Sequence, residues 1–364
     1  MRIEIARNVI EHLRNFPFGF PSSPDNDEWK LLEVPFSLTD KEGELLSRLM
    51  PYSENVNDIA KRLGRSKEEI LPILDGLLHK TWVLRTGTRE NGRYTAVTFG
   101  PGASELQMPW LSKELFELYG KMGFSHEKNM PKDLIPYFRV VPREGALSNN
   151  SEVLPSEIVS HMIEQVDDNE LAVTECICRK TARIHGENCS APVEDQCLFL
   201  GAFAVTIVEL NAGRRITKED AKKRVKRAQE LGLVHQASAN AYPLVICSCC
   251  TCCCAALKSF LSGGQELSLR SNFRSEIDKE ICKGTCPECI KICPVKAWTL
   301  DKKTGKPSID YSRCIGCGLC VAACPEKALH LKRKEKPFIY PNTWDDFLHL
   351  RLRQSGRDKY FKQP

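Results

Sequence analysis

The sequence predicts an α+β protein of several domains, and three features of its 364 residues support this. Helical periodicity followed by a hairpin pattern occupies the first third of the chain. A strand, two helices and a second strand are expected in the middle, where ten of the 18 cysteines gather. The other eight cysteines form a duplicated run toward the C-terminus. Each region is therefore expected to fold around a different set of residues.

The first 35 residues contain a proline-rich and aromatic stretch from Phe16 to Pro24. This composition favours an extended N-terminal arm over residues 1–35. No function is indicated by it.

Residues 36–100 carry the patterns of three helices and a hairpin. Capping boxes begin the first and third helices, and a glycine ends the second. An Asn-Gly pair is typical of a tight hairpin turn. The residues concerned are Thr39 and Glu42, Ser66 and Glu69, Gly64, and Asn91 with Gly92. Three helices followed by a hairpin resemble a winged helix, a fold best known for binding DNA.

Carboxylates argue against DNA binding by this winged-helix-like domain. Its third helix would present Glu68, Glu69 and Asp75 where DNA phosphates would lie. Only the hairpin, with Arg85, Arg89 and Arg93, is suitably basic. We therefore expect a structural or protein-docking role, and nucleic acid is not an expected partner. A linker at 101–155 follows, with one helix at about residues 111–121.

The segment 156–265 predicts a small α/β domain rich in cysteine. Strands are expected at 171–174 and 242–246, with helices at 198–210 and 217–231 between them. Such a crossover makes the two strands parallel neighbours, so that both cysteine groups lie at one edge of the sheet. The groups are Cys176, Cys178, Cys189 and Cys197, and Cys247, Cys249, Cys250, Cys252, Cys253 and Cys254.

Two kinds of metal centre fit these ten cysteines. Cys247, Cys250 and Cys253 have the x2 spacing of a cluster-binding turn, and Cys249 with Cys252 repeats it. The domain is therefore expected to hold one or two iron–sulfur clusters, or a less usual cluster built on adjacent cysteines. Alternatively, the first group alone (Cys176, Cys178, Cys189, Cys197) could form a four-thiolate zinc site.

The duplicated run lies in segment 270–335. Its second copy, Cys314, Cys317, Cys320 and Cys324-Pro325, has the spacing C-x2-C-x2-C-x3-C-P. The first copy is Cys282, Cys286, Cys289 and Cys293-Pro294, with one extra residue between its first two cysteines. Three thiolates at this spacing converge on three corners of an iron–sulfur cube.

This spacing resembles bacterial ferredoxins with two 4Fe-4S clusters, in which the cysteine before proline ligates the other cluster. The resemblance implies one cluster on Cys282, Cys286, Cys289 and Cys324, and a second on Cys314, Cys317, Cys320 and Cys293. The order of motifs over residues 35–331 resembles an uncharacterised family of ferredoxin-like iron–sulfur proteins of anaerobes, which implies electron transfer.

Charge and composition agree with this interpretation. The formal charge is +5, but an oxidised 4Fe-4S cluster with its four thiolates carries roughly −2, so the basic residues compensate clusters. No apolar segment is long enough to cross a bilayer. The first residues lack the apolar core of a signal peptide, and the cysteine content suits a reducing cytoplasm, which is the expected location.

We therefore expect an iron–sulfur electron carrier that relays low-potential electrons between donor and acceptor oxidoreductases. No dinucleotide loop, phosphate-binding loop or activated nucleophile is present, so no catalytic residue is predicted. Two alternatives stay open: a redox-sensing winged-helix regulator, and a reductase with an open cluster site in the middle domain. The basic and aromatic tail, 336–364, is expected either to dock a partner or to pack against its own chain.

Overall fold

The computed structural model describes residues 1–22, 25–97, 102–122, 133–147, 152–187, 189–264, 266–301 and 304–361. These residues divide into two compact units. The first comprises 1–135 with 202–214 and 344–364, and the second comprises 136–201 with 215–343. Each unit is thus assembled from separate stretches of chain. Parts of the predicted linker, 101–155, lie outside the described residues.

The helices and strands are numbered in chain order. The helices are α1 Ile3–Arg14, α2 Asp40–Leu46, α3 Val56–Leu63, α4 Lys67–His79, α5 Ala103–Leu106, α6 Lys113–Met122, α7 Val159–Glu164, α8 Ile177–Ile184, α9 Ala202–Glu209, α10 Lys218–Glu230, α11 Ala255–Leu261, α12 Glu288–Ile292, α13 Leu319–Ala323 and α14 Trp344–Gln354. The strands are β1 Glu54–Asn55, β2 Val83–Thr86, β3 Arg93–Ala96, β4 Phe138–Val141, β5 Leu171–Thr174, β6 Cys197–Leu200, β7 Arg214–Arg215, β8 Val234–Ser238, β9 Val245–Cys249, β10 Ser268–Leu269, β11 Phe273–Ile277, β12 Trp298–Leu300, β13 Pro307–Ile309 and β14 Leu329–Arg333.

The predicted starts of α2 and α4 and the predicted end of α3 are confirmed by their caps, although α2 ends at Leu46, before the expected end at about Met50. Thr39 and Ser66 both form complete capping boxes, at the starts of α2 and α4. Gly64 ends α3 in the left-handed conformation, where glycine has no steric penalty. Strands β2 and β3 pair antiparallel, and β1 pairs with the other edge of β3. The predicted linker helix is also present, as α6.

The prediction of an extended arm over residues 1–35 is wrong. Residues Ile3–Arg14 form α1, which buries Ile5, Val9 and Leu13 on one face at helical spacing. The following aromatic side chains are also buried: Phe18 stacks on Phe347 of α14, with ring centroids 5.9 Å apart. The aromatic stretch is core because burying it removes a large apolar area from water.

The C-terminal helix α14 packs against its own chain. Phe347, Leu348 and Leu352 are buried in the first unit. Arg351 is also buried and lies over the ring of Phe18 at 4.4 Å. This part of the predicted tail therefore contributes to the core of the unit.

The second unit contains a sheet with strands in the order β10-β4-β8-β9-β6-β5. Strands β10 and β4 pair parallel, and the other neighbouring pairs are antiparallel. The prediction that the strands of the cysteine-rich segment are parallel neighbours is wrong. Strands β5 and β9 do run in the same direction, but β6 lies between them.

The reason is that Cys197–Leu200 form strand β6, although a helix was expected from residue 198. A short, continuously apolar run suits a buried strand and a buried helix equally well. The helix begins only at Ala202, after Gly201 takes a positive φ of 62°. No helix in the described part of the chain is long and apolar enough to span a membrane.

Candidate metal centres

The two copies of the cysteine run have the same local structure. In each, the amide of the first cysteine donates to the carbonyl of the aspartate four residues earlier: Cys282 to Asp278 at 3.0 Å and Cys314 to Asp310 at 3.2 Å. The amides of these aspartates in turn donate to Ala328 and Ala297, each in the other copy, both at 2.8 Å. The copies therefore exchange equivalent contacts, as an internal duplication requires.

The second copy surrounds a cavity with four thiols. Its lining includes Cys314, Cys317 and Cys320 together with Cys293 from the first copy, which is the combination implied by the ferredoxin resemblance. The turn between the first two of these cysteines contains Gly316, with a φ of 70°. This residue approaches the neighbouring strand so closely that a Cβ atom would overlap the carbonyl oxygen of Phe273.

Hydrogen bonds to sulfur make the cavity suitable for a negatively charged centre. The backbone amide of Ala297 donates to Cys293 Sγ at 3.2 Å, and Ser275 Oγ lies 3.3 Å from Cys320 Sγ. Burial, and then the charges of neighbouring thiols, raise the pKa of Cys317 and of Cys320. A coordinated metal offsets this cost because a ligating thiol is deprotonated outright. The four residues thus fit a 4Fe-4S cluster.

The first copy brings Cys282, Cys286 and Cys289 together. Burial and the charges of these and other neighbouring thiols raise the pKa of Cys289 to about 11. The amide of Lys283 donates to Glu326 Oε2 at 2.8 Å, which holds this run beside the segment that follows Cys324. The widened spacing is accommodated by Gly284, which has a φ of 77°.

Residues 307–330, which include all four cysteines of the second copy, match the family described as the 4Fe-4S binding domain. This stretch is therefore similar to 4Fe-4S binding domains, and we refer to residues 270–335, which contain both copies of the cysteine run, as the 4Fe-4S domain. The match covers a small part of the chain.

Several curated proteins are similar to a part of this chain. The chain is 46% identical over 39 residues to an uncharacterised ferredoxin-like protein, YdhY, of Escherichia coli, covering 11% of the chain and 19% of that protein. It is 46% identical over 44 residues to the polyferredoxin-like subunit of an aliphatic sulfonate oxidoreductase of Pyrococcus furiosus, covering 12% and 25%. It is 34% identical over 89 residues to a selenate reductase subunit of Mesobacillus selenatarsenatis, covering 22% and 30%. The chain thus spans less than a third of the length of these curated relatives.

Outside the 4Fe-4S domain, the ten remaining cysteines form two groups. Six of them are close enough for neighbouring thiols to shift one another's pKa in a closed sequence, which we call the thiol ring. In order around the ring they are Cys176, Cys178, Cys254, Cys249, Cys247 and Cys197, which returns to Cys176. The other four are Cys189, Cys250, Cys252 and Cys253, which we call the thiol tetrad.

The sheet explains how the thiol ring assembles. Cys247 and Cys249 lie two residues apart on β9 and therefore point to the same face of the sheet. Cys197, at the start of β6, is paired in register with Cys247. The chain leaves β5 at the same edge, which delivers Cys176 and then Cys178 at the start of α8.

The cysteines of the ring differ widely in the pKa of their thiols. Hydrogen bonds from the thiols of Cys178 and Cys197, aided by the charge of Arg179, lower the pKa of Cys176 to about 3. Hydrogen bonds from Cys247 and Cys254 lower the pKa of Cys249 to about 6. The same bonds raise the pKa of the donors Cys178 and Cys247. The ring therefore holds thiolate charge at neutral pH in a buried site.

Arg179 supplies the compensating positive charge. Its side chain is fully buried, and its guanidinium donates to the carbonyls of Pro192 at 2.9 Å and Ser248 at 2.8 Å. Burial disfavours its charge, but interactions with the neighbouring sulfurs of Cys176 and Cys250 reverse that effect and raise its pKa. Arg179 therefore places its positive charge beside both the ring and the tetrad.

Two residues of β8 have contrasting positions that sequence reasoning did not distinguish. Gln236 donates from Nε2 to Cys254 Sγ at 3.4 Å and therefore faces the ring. His235 points to the opposite face, where its Nδ1 lies 3.3 Å from Ser248 Oγ. Burial lowers the pKa of His235 to about 4, so this imidazole is neutral. Strand alternation could have predicted these faces only with the register of β8 and β9 known.

The structure separates the residues of the alternative zinc site. Cys189 lies in the tetrad, with its Sγ 3.3 Å from that of Cys252. Cys176, Cys178 and Cys197 lie in the ring. The predicted x2 series is divided too, because Cys247 belongs to the ring while Cys250 and Cys253 belong to the tetrad.

Proposed function

We propose that this chain is an iron–sulfur electron-transfer protein of the ferredoxin type, which relays low-potential electrons between a donor and a partner oxidoreductase. The observation that supports this most is the cavity lined by Cys293, Cys314, Cys317 and Cys320, in a region that matches the 4Fe-4S binding domain. Relatives named as oxidoreductase subunits favour redox proteins as partners.

Eight cysteines would hold two clusters in this domain. Cys282, Cys286, Cys289 and Cys324 would bind one, and Cys314, Cys317, Cys320 and Cys293 the other. A bound 4Fe-4S cluster supplies the ability to take up and return one electron at a time.

The protein around the second set controls its charge and its access to water. Ser275 and the amide of Ala297 stabilise negative charge on sulfur through their hydrogen bonds. Val295, Ala297 and Ile315 line the cavity, are themselves buried and exclude water from it. Hydrogen bonds to sulfur and solvent exclusion are two of the means by which proteins adjust the potentials of such centres.

The thiol ring supports the proposal of a further iron–sulfur centre in the middle of the chain. Six thiols exceed the four that a single tetrahedral ion accepts, so the ring suits a centre with several metal atoms. The buried guanidinium of Arg179 would offset part of its negative charge.

We propose a structural or docking role for residues 36–97, with a winged-helix-like fold. All three arginines of the hairpin are engaged within the first unit. Arg85 pairs with Glu209 at 2.9 Å, Arg89 pairs with Asp75 at 2.6 Å, and Arg93 donates to Ser53 Oγ at 3.0 Å. These contacts compete with phosphate binding and therefore disfavour a DNA-binding regulator.

A redox assay on the full chain tests the proposed function. The anaerobically purified protein is reduced with dithionite, freed of excess reductant and mixed with an oxidised viologen dye of low potential. We expect reversible reduction of the protein and rapid electron delivery to the dye. Cys317→Ser should lose about one electron per chain, whereas the exposed control Ser308→Ala should not. A chain that neither stores nor delivers electrons would contradict the proposal.

A further inference from the structure

The thiol tetrad is much tighter than a cluster-binding site. All four sulfur atoms lie within 4.8 Å of one another. Cys189 Sγ lies 3.3 Å from Cys252 Sγ and 3.7 Å from Cys250 Sγ, and Cys253 Sγ lies 3.7 Å from Cys252 Sγ. In the described part of the chain, no other group of cysteine, histidine or acidic ligand atoms is this close.

These distances distinguish one metal ion from a cluster. Four thiolates bound to one tetrahedral ion at about 2.3 Å must lie about 3.8 Å from each other, which follows from the tetrahedral angle. In a 4Fe-4S centre each thiolate binds a different iron at its own corner of the cube, so the sulfur atoms lie much farther apart. The observed distances agree with the single ion.

We propose that Cys189, Cys250, Cys252 and Cys253 bind one Zn²⁺ ion as a four-thiolate site. Zinc takes tetrahedral thiolate coordination in closed structural sites, and it binds a given set of ligands more tightly than Fe²⁺ does. The tetrad differs from the zinc site considered from sequence, with which it shares only Cys189.

The surroundings of the tetrad match the charge of such a site. Zn²⁺ with four thiolates carries a net charge of −2, which needs nearby cations. Among the described residues, Arg179 is hydrogen-bonded to Cys250, and Lys258 of α11 lies near Cys252 and Cys253. Lys258 is fixed there by an ion pair with Glu187 at 2.9 Å.

The site would join two parts of the second unit that lie far apart in sequence. Cys189 belongs to the segment between α8 and β6, and the other three cysteines form the turn between β9 and α11. The turn between β9 and α11 also contributes Cys254 to the ring. A zinc ion has no redox chemistry, so it would hold these segments in place and would not carry electrons.

Metal analysis of the unaltered full chain and of a variant that lacks one tetrad thiol tests the proposal. Cys252 is the exposed member of the four, so Cys252→Ser is the variant that disturbs packing least. Ser262→Ala, at an exposed position just after α11, serves as the control. Zinc, iron and sulfide are measured per chain after anaerobic purification, and zinc-edge X-ray absorption is recorded on the unaltered protein.

We expect one zinc per unaltered chain with four sulfur ligands at about 2.3 Å. Cys252→Ser should lose that zinc without losing iron, and Ser262→Ala should keep both. Absence of zinc, zinc bound by nitrogen or oxygen, a single iron in its place, or loss of about four irons in Cys252→Ser would each overturn the proposal. The spectrum of the unaltered chain decides even if the variant does not fold. None of these outcomes depends on the iron of the 4Fe-4S domain, so the proposed electron transfer is tested separately.

Discussion

The 4Fe-4S domain and the ten middle cysteines stabilise thiolate charge in different ways. In the 4Fe-4S domain, four thiols surround a cavity, and their sulfurs accept hydrogen bonds from an amide and a hydroxyl group. In the tetrad and the ring, the sulfurs contact one another, and a buried guanidinium compensates their charge. The comparison shows that cysteine density alone does not define a site, because the space between the sulfurs decides what they can bind.

Among the substitutions that test this comparison, replacing the buried cation Arg179 should lower the free energy of unfolding most. We expect Arg179→Met to lower the free energy of unfolding by about 3–5 kcal/mol, because it leaves buried thiolate charge uncompensated. Arg183→Met, one turn further along α8, removes a half-exposed arginine that is 3.8 Å from Glu194 and should cost no more than about 1 kcal/mol. Urea denaturation without oxygen measures both. Equal effects would mean that Arg179 compensates no charge.

Replacing one glycine in each copy of the cysteine run should have a smaller effect on the free energy of unfolding, and the effect should differ between the copies. An alanine at Gly316 would have a strained positive φ and would overlap Phe273 and Ser271, so we expect a loss of about 2–4 kcal/mol. At Gly284 a Cβ would lie 3.2 Å from the carbonyl oxygen of Gly305, and the loss should be about 1 kcal/mol. The same urea experiment tests the order, and a greater loss at Gly284 would show that the widened turn is the more constrained one.

Removing one hydroxyl should have the smallest effect. Ser275→Ala eliminates the hydrogen bond between Ser275 Oγ and Cys320 Sγ. This hydrogen bond favours the reduced centre, because the reduced centre is the more negative one. A hydrogen bond worth about 0.5–1.5 kcal/mol corresponds to a fall of roughly 20–60 mV in reduction potential. Redox titration followed by electron paramagnetic resonance measures this shift, with Ser308→Ala as the control. An unchanged or higher potential would show that the hydroxyl does not stabilise the reduced state.

The local features of the fold could be predicted from sequence because they depend on neighbouring residues. The capping boxes at Thr39 and Ser66 and the left-handed Gly64 lie where the motifs placed them. The cysteine spacing of the second copy likewise indicated the cavity, because Cys314, Cys317 and Cys320 come from one turn and one short helix.

Features that depend on distant pairing could not be predicted in the same way. The strand at 197–200 is as apolar as a buried helix, and its insertion between β5 and β9 is determined by the whole sheet. That insertion separates Cys197 from Cys189 and divides the middle cysteines into the ring and the tetrad. The aromatic stretch after α1 was similarly mistaken for an arm, because its partners in α14 lie more than 300 residues away.

The duplicated cysteines are proposed to hold two 4Fe-4S clusters, and the most direct test is to count metal and sulfide in the chain purified without oxygen. We predict a brown protein with at least about eight irons and eight sulfides per chain. We also predict the electron paramagnetic resonance of reduced 4Fe-4S clusters after treatment with dithionite. A colourless protein with zinc as its only metal would contradict both clusters and the electron transfer that depends on them.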